Sequence, residues 1–278
     1  MRVLFTGAGG KAGSWKMRAE QLAATRPHWR AVPKATRADL RGVDAVVLVK
    51  RVPEGTLAEI KRWGGRLCYD VLDFWSQPNE AQGIYSQEDI VERFWRHFEK
   101  VDADIVMATN SLMKEDLAGI CKRVEVVPHH FDPSLYPNPR TELGSIVYWG
   151  HHRYLAEYEW VMQDLCKKHG FKFRVNPKDP TTGQAMFAVR AGLYGTWLDR
   201  RWKSSVKGAV SMALGQPLIA YPEASLTEFC ASHLWQFTNE KQLERAVLDA
   251  MSSAHRVKPS PLYSVENSAR RLEKILRG

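Results

Sequence analysis

Four cysteines among 278 residues, none of them in a CxxC pair, leave little material for a disulfide framework or a zinc site. Cys68, Cys121, Cys166 and Cys230 lie far apart, three of them in or beside apolar runs, and are expected as buried free thiols. Long apolar runs are also lacking. The longest centres on Ala45–Val49, far short of the roughly 20 residues of a membrane-spanning helix. The opening Met1-Arg-Val-Leu-Phe runs straight into a strand and carries no signal-peptide pattern. These absences point to a cytoplasmic protein with no stable membrane insertion. Asp and His residues are scattered without HxxxH spacing, so no metal is expected. There is no internal repeat and no low-complexity tract.

What is present is an ordinary globular composition, 44% hydrophobic and 26% charged, enough to bury a sizeable core. The length suits two domains better than one. The formal charge of +9 and a pI of about 9.4 favour phosphorylated or polyanionic partners such as nucleotide diphosphates, nucleic acid or anionic lipid. A merely solvated basic surface would give the same balance.

Short apolar runs alternate with helical patterns, which implies parallel sheet and crossover helices. Strands are expected at Arg2–Phe5, Asp44–Val49, Arg66–Val71, Ile105–Ala108 and Val124–Val127. Helices are expected over Ser14–Thr25, Leu57–Trp63, Gln87–Glu99 and Leu112–Cys121, the last with Ser111 as its N-cap. Pro133, Pro137 and Pro139 then break the pattern and mark a linker. It restarts with a strand at Ser145–Trp149, a helix at Leu155–His169 and a strand at Lys172–Val175. A loop over Asn176–Gly183, a helix at Ser205–Leu214, a strand at Pro217–Tyr221 and a last helix at Glu266–Leu276 complete it.

The most conspicuous local motif is Phe5-Thr-Gly-Ala-Gly-Gly-Lys-Ala-Gly13, a Gly-rich turn between the first strand and helix. Glycines there let the backbone approach a phosphate at a helix N-terminus. The spacing Gly7, Gly9, Gly13 resembles the NAD(P) loop of short-chain dehydrogenases and nucleotide-sugar epimerases, an alternative reading. The chemistry of that family needs a Tyr with a Lys four residues on, and none of the nine tyrosines has one. The same loop, with Gly9, Gly10, Ser14, Lys16 and Arg18, resembles the first loop of glycosyltransferases with the two-Rossmann (GT-B) fold. There it faces the cleft, and Lys16 or Arg18 could reach a phosphate.

Two further segments extend that resemblance. Ala103–Leu117 followed by Val124-Glu-Val-Val-Pro-His-His-Phe-Asp132 looks like the end of the first lobe of retaining glycosyltransferases, and Ser145-Ile-Val-Tyr-Trp-Gly-His-His-Arg153 like the start of the donor lobe. The most specific match is Lys203-Ser-Ser-Val-Lys-Gly-Ala-Val-Ser-Met-Ala-Leu-Gly-Gln-Pro-Leu-Ile-Ala220, similar to the helix-turn-strand that cradles the donor diphosphate. The resemblance implies an α/β protein of two Rossmann-like lobes facing each other across a cleft, with the C-terminal helix returning to the first lobe. Residues 1-140 would form the acceptor-side lobe and 141-278 the donor lobe. Ser204 and Ser205 would cap a helix whose N–H groups face an anion, with Lys203, Lys207 and Arg153 adding charge. Glu223 and Glu228, in a loop after the strand, could touch sugar hydroxyls. Trp202 and Val210 stand where the family carries two glutamates, so the match is divergent.

Asp70 and Asp73 close a parallel strand and are the candidate acids for taking the acceptor hydroxyl's proton, Asp73 being preferred. The implied reaction moves a sugar from a nucleotide-diphosphate sugar, a co-substrate rather than a cofactor, to a hydroxyl of a glycan, small molecule or DNA base. Basic and aromatic residues interleave in Arg93-Phe-Trp-Arg96 and in Arg190…Trp197-Leu-Asp-Arg-Arg-Trp-Lys203. They would suit a nucleic-acid acceptor, for instance a hydroxymethylated base flipped from the duplex. A non-catalytic binding module on the same fold is the remaining alternative.

Overall fold

The computed structural model describes residues 1–9, 13–72, 87–131, 142–179, 182–190, 200–254 and 257–278, and for residues 87–91, 93 and 153 the backbone only. The linker expected at Pro133–Pro139 lies outside the described residues. Two compact units emerge. One comprises Met1–Pro128, Trp202–Ser204 and Val265–Gly278, the other His129–Arg201 and Ser205–Ser264.

The first unit opens with strand β1 (Val3–Gly7) and a helical segment that runs through α1 (Gly13–Trp15), a π-helical stretch (Lys16–Gln21) and α2 (Leu22–Ala24). Then follow β2 (Trp29–Ala31), β3 (Ala45–Val49), α3 (Glu54–Trp63), β4 (Arg66–Asp70), α4 (Gln87–Val101), β5 (Ile105–Ala108), α5 (Ser111–Leu117) and β6 (Val124–Val126). The strands form one parallel sheet in the order β2-β1-β3-β4-β5-β6. β3 is buried along its whole length, as its unbroken apolar run requires. Helix α3 stops where Gly64 takes a left-handed φ of 71°. The expected cap of α5 is displaced by one residue. Asn110, not Ser111, holds the N-cap, its Oδ1 accepting from the Met113 amide at 2.8 Å.

The last helix of the chain, Val265–Arg277, belongs to this first unit. Ala269, Leu272, Ile275 and Leu276 enter the core formed by Val3, Phe5, Leu22 and their neighbours. Burial of that kind contributes about 1.5–3 kcal/mol for each of the three larger side chains. Arg26 adds ion pairs to Glu266 at 3.0 Å and Glu273 at 3.2 Å. Trp202 also lies here, fully buried among Phe94, Trp95 and Phe98, its indole N–H donating to Asp116 at 2.6 Å. Enclosed in this way, Trp202 offers no platform for a base or sugar; Trp197 lies outside the described residues.

The second unit contains β7 (Glu142–Tyr148), α6 (Tyr158–Lys168), β8 (Lys172–Val175), β9 (Gly183–Ala188), α7 (Val206–Leu214), β10 (Leu218–Ala220), α8 (Ala224–Cys230), β11 (Leu234–Gln236) and α9 (Glu240–Ser253). Its parallel sheet has the order β11-β10-β9-β7-β8. The apolar-run pattern leaves β9 unassigned, although β9 lies between β7 and β10. Its sequence Gly-Gln-Ala-Met-Phe-Ala has no β-branched residue, and burial overrides that weak propensity. The loop expected after β10 is helix α8 from Ala224 onward. Cys68, Cys166 and Cys230 are buried free thiols and Cys121 is half-buried.

Candidate functional site

In both sheets the chain leaves a starting strand to one side and then returns to the other, which creates a switch point where open α/β sheets bind ligands at the strands' carboxyl ends. In the second unit that point lies between β7 and β9. Three segments follow the strand ends there: Gly150 beyond β7, Arg190 beyond β9 and Glu223 beyond β10. Helix α7 brings its first turn to the same place.

Lys207, the second residue of α7, is buried, and its Nζ stands 4.0 Å above the centre of the Tyr148 ring. Among the described residues that Nζ has no hydrogen-bond partner. Burial pushes its pKa down to about 7, the guanidinium of Arg190 pushes the same way, and the Glu223 carboxylate opposes them. An ammonium over an aromatic face gains about 2 kcal/mol when desolvated. Loss of hydration without a compensating hydrogen bond costs more than that. The ring therefore offsets only part of the cost of burying the amine.

A Cβ placed on Gly150 would stand 3.2 Å from the Lys207 Nζ and 2.9 Å from the Tyr148 hydroxyl, so the turn after β7 packs closely against both groups. Gly150 is fixed by Asn176, whose side chain accepts from the Gly150 amide at 2.8 Å and donates to its carbonyl at 2.7 Å. The Tyr148 hydroxyl donates to the His151 carbonyl at 3.0 Å, and burial raises its pKa to about 12, so it stays protonated. Arg190 and Glu223 form an ion pair with side-chain exposures of only 12% and 3%.

Ser205 occupies the N-cap of α7 but makes no side-chain cap bond, which corrects the expected cap. Its Oγ is buried and has no partner among the described residues. A buried hydroxyl and a buried ammonium, both unpaired, thus meet the N-terminal end of a nine-residue helix whose dipole favours an anion. Gly208 in the same turn is a packing requirement, since a Cβ there would stand 2.3 Å from the Cys230 Sγ.

The other sequence candidates divide between the units. Lys203 is buried and, with Ser204, belongs to the first unit. Glu228 is exposed on α8. Val210, at one of the two missing glutamate positions, is core. Gly10 and Asp73 lie outside the described residues, as does the Arg153 side chain.

In the first unit the switch point falls between β1 and β3, and a cavity of about 370 Å³ there is lined by Gly9, Ser14, Trp15, Lys50 and Arg51, among others. Gly9 has a left-handed φ of 70°, and a Cβ on it would stand 2.2 Å from the Pro33 side chain. Lys16 is exposed. Arg18 differs from its expected reach toward a phosphate. The π-helical turn carries it inward, and its Nε donates to Asp70 Oδ2 at 2.6 Å while its NH1 donates to the Pro128 carbonyl at 3.1 Å. Both partners of this pair are essentially enclosed, at 2% and 1% exposure. Asp70 therefore ties the first helical segment to β4 and is not presented to an acceptor.

His129 and His130 are buried. Asp102 and Asp104 have D-x-D spacing, but both face Lys122, at 3.0 and 4.0 Å. Among the described residues no group of three or more His, Cys, Asp or Glu could hold a metal ion, and no helix is long and apolar enough to cross a membrane.

No family model and no curated protein matches the sequence. Solved structures do match the fold over the full length. AviGT4, a glycosyltransferase involved in avilamycin A biosynthesis, aligns with 100% of this chain and 97% of its own at 10% identity and a TM-score of 0.57. Sucrose-phosphate synthase from Thermosynechococcus elongatus aligns with 100% and 98% at 10% identity and a TM-score of 0.60. The MnaA–UDP structure from S. aureus aligns with 100% and 96% at 10% identity and a TM-score of 0.54. The chain has the GT-B fold. Within that fold Arg190, Tyr148, Gly150 and Asn176 are site residues that the motifs do not single out. The Tyr148–Gly150 stretch carried a signal through its likeness to the first strand and loop of a donor lobe, and Arg190 only as part of a basic and aromatic segment read toward a nucleic-acid acceptor.

Proposed function

We propose that this protein is a glycosyltransferase that takes a sugar from a nucleoside-diphosphate sugar and transfers it to a hydroxyl. The observation that carries this reading is Lys207, a buried amine at a helix N-terminus and a sheet switch point, with no hydrogen-bond partner among the described residues. A diphosphate placed there accepts from Lys207 and from Ser205 Oγ and meets the positive end of α7. As the bond from the anomeric carbon to the diphosphate oxygen breaks, negative charge grows on that oxygen. Fixed donors stabilise it most at that moment, because they need no reorganisation. Glu223, paired with Arg190, would accept from sugar hydroxyls. The acceptor hydroxyl's proton is assigned to Asp73. Asp70 is excluded from that role by its enclosed pairing with Arg18.

The donor-lobe reading is supported by the full-length likeness to a glycosyltransferase involved in avilamycin A biosynthesis and to a structure that contains UDP. A thermal-shift series with UDP, GDP, their sugars and NAD tests the proposal. Stabilisation by a nucleoside diphosphate is expected, and stabilisation by NAD alone would replace the reading with the nicotinamide one. Hydrolysis of a bound donor sugar, lost in Lys207→Met, separates an enzyme from a non-catalytic nucleotide-binding module.

A further inference from the structure

The positive charge of the chain is not spread evenly. Residues 26–66 carry ten Lys and Arg against four Asp and Glu, and so account for two thirds of the net +9. Within this stretch a groove of about 510 Å³ is lined by Arg37, Leu40, Arg41, Glu59, Arg62 and Trp63. It lies away from the switch-point cavity of the same unit, since its residues precede β3 and β4 while that cavity follows β1 and β3.

Its cations are held by a rigid frame. Residues 36–43 form successive tight turns, fixed by the Thr36 amide donating to Asp39 Oδ2 at 2.8 Å and by the Leu40 side chain, which is only 2% exposed. Arg37 and Arg41 flank that anchor in the sequence and are exposed. Among the described residues neither makes an ion pair. Arg62 and Trp63 come from the last turn of α3, and Trp63 lies so close over Gly65 that a Cβ there would stand 2.3 Å from its ring. Arg62 pairs with Glu59, and Lys61 and Arg62 offset the negative end of the helix. Neither effect accounts for Arg37 and Arg41, which leave the groove with two uncompensated positive charges beside an indole.

We propose that this groove is a docking surface for a nucleic-acid strand. Guanidinium groups bind phosphodiester oxygens through two parallel N–H donors, and an indole at the same place stacks on a base or sugar. An anionic membrane fits less well. Surface-bound proteins insert apolar side chains, and the one large hydrophobic residue notably exposed among the described residues of this unit is Ile120, which is not in the groove. The surface is independent of the donor reading, because its residues belong to the first unit and Lys207 to the second.

Fluorescence anisotropy with a labelled DNA strand, titrated at salt concentrations from about 50 to 200 mM, tests the assignment. Wild-type protein should bind with a steep salt dependence. Arg37→Glu with Arg41→Glu should weaken binding at least about tenfold and lower the slope of log affinity against log salt by about two. A matched reversal on the second unit, Lys167→Glu with Lys241→Glu, should change binding much less, and both variants should melt as wild type does. Unchanged binding in the arginine variant, or an equal loss in the lysine variant, overturns the proposal. Binding of phosphatidylserine vesicles but not DNA, abolished by the arginine reversals, would assign the groove to a membrane instead. Nucleoside-diphosphate binding should be the same in all three proteins.

Discussion

At the scale of single residues, the buried charged groups meet different fates. Arg18 pairs with Asp70 through Oδ2, so removing one leaves the other enclosed without its counter-ion. Asp70→Asn should cost about 3–5 kcal/mol of stability, read from denaturant unfolding, because breaking a buried pair is far more damaging than losing an exposed one. A purely catalytic Asp70 would give normal unfolding and lost activity. Lys207 lacks such a partner, and its pKa of about 7 lies well below that of an ordinary lysine. The unfolded chain therefore binds more protons than the folded one between about pH 7 and the ordinary lysine value near 10.4. Burial of Lys207 costs stability fully below that window, and the cost fades as pH rises through it. The charge and helical position of Lys207 were legible in the sequence. Its seat on Tyr148 was not, because that contact joins the end of β7 to the start of α7 through the fold. The same holds for Arg18 and Asp70, 52 residues apart.

Among the elements, strands with continuous apolar runs were legible almost to the residue, as Ala45–Val49 and Ile105–Ala108 show. β2, β9, β11 and helix α9 escaped the pattern, α9 although Asn239 caps it and Leu243, Ala246, Val247 and Ala250 line its buried face. β9 is made of Gly, Gln, Ala, Met and Phe and is a strand because β7 and β10 flank it. Helix ends show the same limit. Ser111 has the right chemistry for a cap, but Asn110 immediately precedes it and takes the position. Asn110→Ala should therefore cost about 0.5–2 kcal/mol, and Ser111→Ala should stay within about 0.5 kcal/mol, both measured by chemical denaturation. Equal effects would contradict the assigned cap. At α7 the serine is in the cap position, yet among the described residues its hydroxyl makes no hydrogen bond.

For the whole molecule, the alternation of strands and helices announced two parallel sheets, and both are present with the full-length fold likeness that goes with them. The chain's end follows the expectation that the C-terminal helix returns to the first lobe. Its last helix supplies Leu272, Ile275 and Leu276 to the core of the first unit, next to strands made more than 200 residues earlier. Truncation after Ser264 should expose that face, and the shortened protein should lose the cooperative melting of the first unit, as followed by hydrogen exchange across β1 and β3. A chain that kept full protection there would show the helix to be dispensable.

The central claim is that Lys207 waits for a diphosphate, and calorimetric titration of UDP and GDP into wild-type protein and Lys207→Met tests it most directly. An anion favours the charged amine, so binding above about pH 7 must draw in a proton. Affinity should fall by up to about tenfold per pH unit above that point, with proton uptake visible as a dependence of the heat on the buffer. Lys207→Met should remain folded, bind at least about a hundredfold more weakly and lose the pH dependence. Tight binding that is unchanged by Lys207→Met, with no proton uptake at any pH, would contradict the account.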